Sequence, residues 1–157
     1  MKIIDILKKE NIKVDISCQD KTEAIDMLID MLNGDERILN LQAVKTAVHE
    51  REKIMSTGVG HGFAIPHAKT NGVKQMSACF IRLAEPIEFE SLDGQPVNLI
   101  FLLVGQENAV APHIKMLSRI SRIMNKESFR TALTNAKSSE EVYNIFVEEE
   151  KNYIELT

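Results

Sequence analysis

The chain has only two cysteines, Cys18 and Cys79, set far apart and without the C-x-x-C spacing of a zinc or redox site. That excludes a disulfide-built scaffold and reads as two buried thiols in a reducing compartment. No apolar run approaches the roughly 20 residues that a membrane-spanning helix needs. The longest, Val97 to Val104, is interrupted by Asn98, so bilayer insertion is not expected. The opening residues, Met1 to Glu10, mix acids and bases with apolar residues. They lack the basic-then-apolar order of a secretory leader, and a cytoplasmic location is the expectation. Nor is there a basic run with interleaved aromatics. With 19 Lys plus Arg against 23 Asp plus Glu, the net charge is -4, and nucleic acid is not an expected partner. Internal repeats, low-complexity tracts and Ser/Gly-rich linkers are absent as well. What is present, 157 residues at 44% hydrophobic and 27% charged, is the composition of one globular domain.

Hydrophobic periodicity divides that domain into alternating elements. A short amphipathic helix around Ile3 to Lys9 precedes Ile12 to Ile16, whose alternation predicts a half-buried strand. Asp20 with Glu23 forms a capping-box pattern ahead of Ala24, Met27, Leu28, Met31 and Leu32, and Gly34 is the expected stop. Asn40 opens a second helix, expected to run to about Arg51. Met76 to Leu83 reads as a strand, Pro86 to Glu90 as a short edge piece, and Leu92-Asp93-Gly94 as a turn. Val97 to Val104 is apolar throughout except for Asn98, as a central strand buried on both faces would be. Pro112 suits a first helical turn, and Ile114, Leu117, Ile120, Ile123 and Met124 give a helical stripe. Ser138 with Glu141 is a second capping box, opening a C-terminal helix to Phe146. The expected fold is therefore α/β, a single layered domain with a mixed β-sheet and helices on both faces.

Chemistry must come from the histidines. His49 lies in a predicted helix beside Glu50, where a solvated position accounts for it and no role is assigned. His67 follows Ala64-Ile65-Pro66, and the proline fixes its own backbone and biases Ile65 to an extended shape. The imidazole is thus expected where a strand ends, the place at which α/β sheets bind ligands. Upstream, Ser56 to His67 reads S-T-G-V-G-H-G-F-A-I-P-H. Gly58, Gly60 and Gly62 admit close backbone approach and leave amides available to an anion, whereas a plain flexible loop is the alternative. The spacing is not that of a nucleotide P-loop, and Lys69 comes after the histidine rather than inside the glycine loop. His113 falls at the second position of a predicted helix, where the dipole favours a neutral ring. Arg51, at a helix end, offers a forked guanidinium for phosphate or simply solubilises the surface.

Arg51-Glu52-Lys53 followed by STGVGHGFAIPHAKT, then LDGQPVNLIFLLVG, then APHIKMLSRISRIM, resembles the enzyme IIA domains of the fructose, mannitol and nitrogen-regulatory class. These belong to the phosphoenolpyruvate-dependent phosphotransferase system, a set of sugar-transport carriers. The likeness runs from IIDILKKENIKVDI to AKSSEEVYNIF, so residues 1–157 are expected to form one enzyme IIA type 2 domain. It implies that His67 is the phosphorylated nucleophile, accepting a phosphoryl group from HPr or an HPr-like phosphocarrier. It further implies that His113 bonds a phosphoryl oxygen, that Arg51 stabilises the phosphoryl charge, and that Ser56 or Thr57 adds a hydroxyl contact. Gly58, Gly60 and Gly62 complete the expected phosphoryl-binding set, with no cofactor and no metal.

Such chemistry is intelligible without the likeness. Phosphoryl transfer needs an uncharged in-line nucleophile and donors around the equatorial oxygens. A neutral imidazole, with its ordinary pKa of about 6.5, supplies the first near neutral pH. The family's usual acceptor is a cysteine of a IIB domain in a Cys-Pro setting, which neither Cys18 nor Cys79 has, so the IIB partner is expected on another chain. A sugar carrier is the leading expectation and a nitrogen-type regulator the second. A metal-dependent hydrolase using His61, His67 and His113 finds no H-x-x-x-H or H-E-x-x-H spacing. His61 either lines the site or is exposed. Val59, Phe63 and Ile114 are candidates for an apolar docking rim, with core packing the default for Ile114.

Overall fold

In the computed structural model, which describes residues 1–156, a six-stranded mixed sheet is flanked by helices on both faces. The elements are α1 (Ile3–Ile6), a 3-10 turn (Lys9–Asn11), β1 (Ile12–Ile16), α2 (Lys21–Asp30), α3 (Leu41–Ile54), β2 (Gly58–Gly60), β3 (Phe63–Ala64), β4 (His67–Lys69), β5 (Ser77–Ile87), β6 (Val97–Gly105), α4 (Val110–Met124), α5 (Glu127–Asn135) and α6 (Ser139–Leu156). Strand order is β1-β5-β6-β3-β2, and β4 also pairs with β6. β5 and β6 are antiparallel, whereas β3 and β4 both run parallel to β6, in register Phe63 with Leu99 and His67 with Leu103. β3 and β4 are thus successive pieces of one path along β6, broken at Ile65-Pro66. Proline has no N–H for the ladder, yet its carbonyl still accepts from the Leu103 amide at 3.0 Å.

The apolar runs of β5 and β6 have a simple cause. Successive side chains of a strand point to opposite faces, and both faces are covered. Leu99, Phe101 and Leu103 of β6, with Ala78 and Phe80 of β5, join one core with α1, α4, α5 and α6. Ile100, Leu102 and Val104, with Cys79 and Ile81, join the other with α2 and α3. In the first core Phe146 is ringed by Phe80, Phe101 and Phe129, with centroids 5.6, 5.8 and 5.1 Å away.

Caps sit where the residues call for them. Asp20 accepts from the Glu23 amide at 2.9 Å, Asn40 from Ala43 at 3.0 Å, and Ser138 from Glu141 at 3.1 Å. Several boundaries differ from expectation. The first helix is a single turn followed by a 3-10 turn. α2 ends at Asp30, leaving Gly34 (φ 83°) to the following turn. α3 continues to Ile54, and the edge piece at Pro86 is the end of β5 itself. α5 has no counterpart in the expected elements, and α6 runs past Phe146 to Leu156. Buried Arg82 sits at the end of α5, donating to the carbonyls of Leu133 at 2.8 Å and Thr134 at 3.2 Å and also to that of Ala136. No helix among the described residues is long and apolar enough to cross a membrane.

Candidate active site

β4 has a partner strand on one side only. Along its other edge α3 and α4 approach each other and leave a cavity of about 370 Å³, lined by Ala47, Arg51, His67, Ala68, Lys69, His113, Ile114 and Leu117. His67, His113 and Arg51, far apart in sequence, therefore meet in one hollow. The two imidazoles lie 5.8 Å apart between centroids, tilted by 50°.

His67 is half-buried, and its Nδ1 lies 2.8 Å from the carbonyl oxygen of Ile65. A carbonyl can only accept, so Nδ1 carries the proton and the neutral ring keeps its lone pair on Nε2. The bond exists because Ile65 falls in the break between β3 and β4, which leaves its carbonyl outside the ladder. The strand then resumes, so His67 opens β4 rather than closing a strand, as the sequence had suggested. Burial, together with the positive charges of Arg51 and Lys69, holds the His67 pKa below its ordinary value, against the opposing bond to Ile65. The ring is neutral at pH 7.

His113 is only 2% exposed, and neither of its ring nitrogens has a hydrogen-bond partner among the described residues. Burial foremost, then His67 and Lys69, pushes its pKa down to about 4. α4 starts at Val110, so His113 is its fourth residue and not its second as expected. Desolvation, more than the helix dipole, keeps it neutral. A buried polar group left without a partner costs about 1–3 kcal/mol, and an anionic oxygen in the cavity would accept its N–H and offset that cost. Gly105, at the end of β6, makes the position possible, because a Cβ there would lie 3.0 Å from the His113 Nδ1.

Arg51 donates through Nη1 to the Met55 carbonyl at 3.0 Å. That occupies one of its five N–H donors, and the guanidinium faces the cavity. Lys69 was not assigned a role from the sequence. The period of two along a strand was the available signal, since it sets Lys69 two residues beyond His67 in β4.

The remaining sequence-based assignments stand elsewhere. The Ser56 hydroxyl donates to Phe89 O at 2.7 Å and accepts from the Gly58 amide at 3.1 Å. Both the hydroxyl and the amide of Thr57 are bonded to Glu52. Neither side chain is among the residues lining the His67 cavity; in this structure both hydroxyls are engaged inside the loop. Gly58, Gly60 and Gly62 are likewise outside the lining. They build the β2–β3 hairpin, whose turn has positive φ at both His61 (57°) and Gly62 (81°). His61 is exposed, held through its amide to Asp93 at 3.0 Å. His49 bonds Asp26 at 2.6 Å. Phe63 is fully buried, whereas Ile114 is 58% and Val59 42% exposed, so the rim has Ile114 and not Phe63. Among the described residues, no three His, Cys, Asp or Glu side chains converge as a metal site.

A hollow holding two neutral imidazoles, an arginine and a lysine has the donors to surround a phosphoryl group and one nitrogen free to carry it. Residues 5–149 match the family described as "Phosphoenolpyruvate-dependent sugar phosphotransferase system, EIIA 2". The fructose-specific EIIABC component of Bacillus subtilis is 37% identical over 151 residues, which are 96% of this chain and 24% of that protein; the chain spans about a quarter of that relative's length. A nitrogen regulatory protein of Bradyrhizobium diazoefficiens is 36% identical over 148 residues, 92% of this chain and 94% of its own. The crystal structure of nitrogen regulatory protein IIA-Ntr from Neisseria meningitidis matches with a TM-score of 0.86 at 38% identity, over 92% of this chain and 98% of that one. The complex of enzyme IIAMTL and phosphorylated enzyme IIBMTL from Escherichia coli matches with a TM-score of 0.76 over 91% of this chain and 99% of that one, and at 21% identity it shares the fold alone. The chain belongs to the EIIA 2 family of the phosphoenolpyruvate-dependent sugar phosphotransferase system.

Proposed function

We propose that the protein is a phosphohistidine carrier that takes a phosphoryl group onto His67 Nε2 from phospho-HPr or an HPr-like protein. It passes the group to a IIB cysteine during uptake of a fructose- or mannitol-like sugar. The observation that carries this reading is the bond from His67 Nδ1 to Ile65 O, which leaves Nε2 as the one nitrogen of that ring with a lone pair to offer. The new N–P bond forms at Nε2 as the donor's N–P bond breaks, and that electron pair returns to the donor histidine. Arg51 and Lys69 neutralise the equatorial oxygens, and His113 donates one N–H to them. Onward transfer reverses the geometry, with a thiolate attacking phosphorus and Nε2 leaving with its pair. The 157 residues act as one such domain, in the cytoplasm, where two free thiols suit a reducing environment.

The test is intact-mass spectrometry after incubation with phosphoenolpyruvate, enzyme I and HPr, with His67→Ala alongside. One acid-labile phosphoryl adduct, absent from the variant, is expected. No adduct with several HPr paralogues would overturn the reading. His113→Ala should still accept the group and transfer it poorly; full onward transfer would remove His113 from the mechanism.

A second reading keeps the site and changes the output. The likeness to nitrogen regulatory proteins over nearly their whole length supports a regulator that binds targets according to its phosphorylation state. Transfer from the phosphorylated protein to a IIB cysteine separates the two, since a dedicated regulator transfers none.

A further inference from the structure

Glu52 breaks a local rule. It is an acidic residue in the last turn of α3, where the helix dipole is unfavourable to negative charge, and it is only 7% exposed. Its neighbour Arg51 faces the His67 cavity, whereas Glu52 turns to the opposite side of the helix end and lines a separate hollow with Lys21, Lys53 and Ser56. A buried carboxylate needs both a counter-charge and hydrogen bonds, and each has a definite source. Lys21 Nζ at the start of α2 lies 2.9 Å away. Thr57 N donates to Oε2 at 2.7 Å and Thr57 Oγ1 to Oε1 at 2.5 Å.

Those bonds continue toward the nucleophile. The Thr57 carbonyl accepts from the Ile65 amide at 3.1 Å, which fixes the peptide on one side of Ile65. The carbonyl on the other side accepts from His67 Nδ1 at 2.8 Å. Ile65 and Pro66 lie between β3 and β4; the Pro66 carbonyl anchors this break to Leu103 of β6, and the Thr57–Ile65 bond ties its other side to the residue that leads into β2. We propose that Glu52, with Lys21 and Thr57, is a positioning group that holds His67 in the Nδ1–H tautomer and keeps Arg51 aimed at the same cavity. One carboxylate thereby locks the end of α3 and the β3–β4 break to each other. The proposal rests on the carrier reading for its consequence, faster phosphoryl uptake, and stands apart from it for its structural claim, the tautomer.

The experiment follows both. Imidazole nitrogen NMR of the unphosphorylated protein reports the tautomer, and single-turnover uptake from phospho-HPr reports the rate, for wild type, Glu52→Gln, Thr57→Val and Thr57→Ser. The wild type should show one tautomer at His67, protonated on Nδ1. Glu52→Gln should show both tautomers with uptake about tenfold slower, while a thermal transition and the amide spectrum report the fold. Thr57→Val should shift the tautomer ratio in the same direction and Thr57→Ser, which keeps the hydroxyl, should restore it. Should Glu52→Gln not fold, the Thr57 pair decides alone. A single Nδ1–H tautomer with unchanged uptake in folded Glu52→Gln, or equal behaviour of Thr57→Val and Thr57→Ser, would overturn the proposal. If wild type takes up no phosphoryl group, the carrier reading fails and the tautomer measurement still decides the positioning claim.

Discussion

Acid should destabilise this protein through one buried ring. His113 has a pKa of about 4 in the folded chain and about 6.5 once unfolding exposes it. Between these values the unfolded state binds a proton that the folded state refuses, so stability rises with pH across the window and is lost as pH falls through it. A difference of this size is worth about 3 kcal/mol when fully developed, at about 1.4 kcal/mol per pKa unit. Between pH 7.5 and pH 4.5, where the folded ring is still mostly neutral, about 2.5 kcal/mol of it should be visible. The perturbation is His113→Leu, which removes the titrating group and keeps an apolar side chain of similar size in a site where neither ring nitrogen has a partner. Urea unfolding of both proteins at the two pH values gives four free energies. Every other titrating group, His67 included, is common to both chains and cancels in the difference of differences. Wild type should lose about 2.5 kcal/mol more than the variant. Parallel pH profiles would refute the claim that His113 is buried as a neutral ring.

Other outcomes follow from the same contacts. The proposed phosphorylation of His67 would put a negative group beside His113, so the His113 pKa should rise in the phospho-protein, read by NMR titration at neutral pH; an unchanged value would separate the two residues in function. Because burial holds the His67 pKa below its ordinary value, the fall in uptake from phospho-HPr at acid pH should be centred below the ordinary imidazole value of about 6.5, and a fall centred at or above it would refute the neutral, buried ring. Gly105→Ala brings a methyl within 3.0 Å of the His113 Nδ1, and stopped-flow transfer to a IIB partner should slow about tenfold with the thermal midpoint little changed. Arg82→Met strands the carbonyls at the end of α5 and should cost about 2–4 kcal/mol in urea unfolding. Phe146→Ala empties the centre of the aromatic cluster and should cost about 3–5 kcal/mol.

β1, β5, β6 and the three capped helices were legible because their signals are local: alternation in Ile12 to Ile16, apolarity in Val97 to Val104 broken only by Asn98, an oxygen-bearing side chain before each of α2, α3 and α6. α5 was not. Its stripe is short, Phe129 and Leu133 alone being buried, and its end is satisfied by Arg82, which lies far away in sequence. Of the site, His67 was legible from the proline before it. Its convergence with His113 and Arg51 rested on a resemblance, since no spacing rule joins β4, α4 and α3. The place of the glycines, outside the cavity lining, was not legible for a physical reason. Three in five residues serve a hairpin turn as well as an anion cradle, and nothing local tells whether the amides of Gly58 and its neighbours are free. Glu52 and Lys69 escaped notice because charged residues near a surface are ordinarily solvated, and only the third dimension gives them partners.

The break at Ile65-Pro66 links fold to chemistry most directly. A regular strand would commit both the carbonyl of residue 65 and the amide of residue 66 to neighbours, leaving the imidazole two residues on without a local acceptor. Proline removes the amide, and Pro66 O still holds Leu103 at 3.0 Å, so the strand is interrupted without being displaced. The released Ile65 carbonyl then takes the Nδ1 proton, and the same half-buried position that keeps the ring neutral opens Nε2 toward arginine and lysine. A carrier has to accept and release the same group, so it needs a nucleophile that is uncharged, singly oriented and reachable from one side. Burial supplies the first property, the proline break the second and the open edge of β4 the third. Each depends on a different part of the chain, and so a substitution can remove one while leaving the others in place.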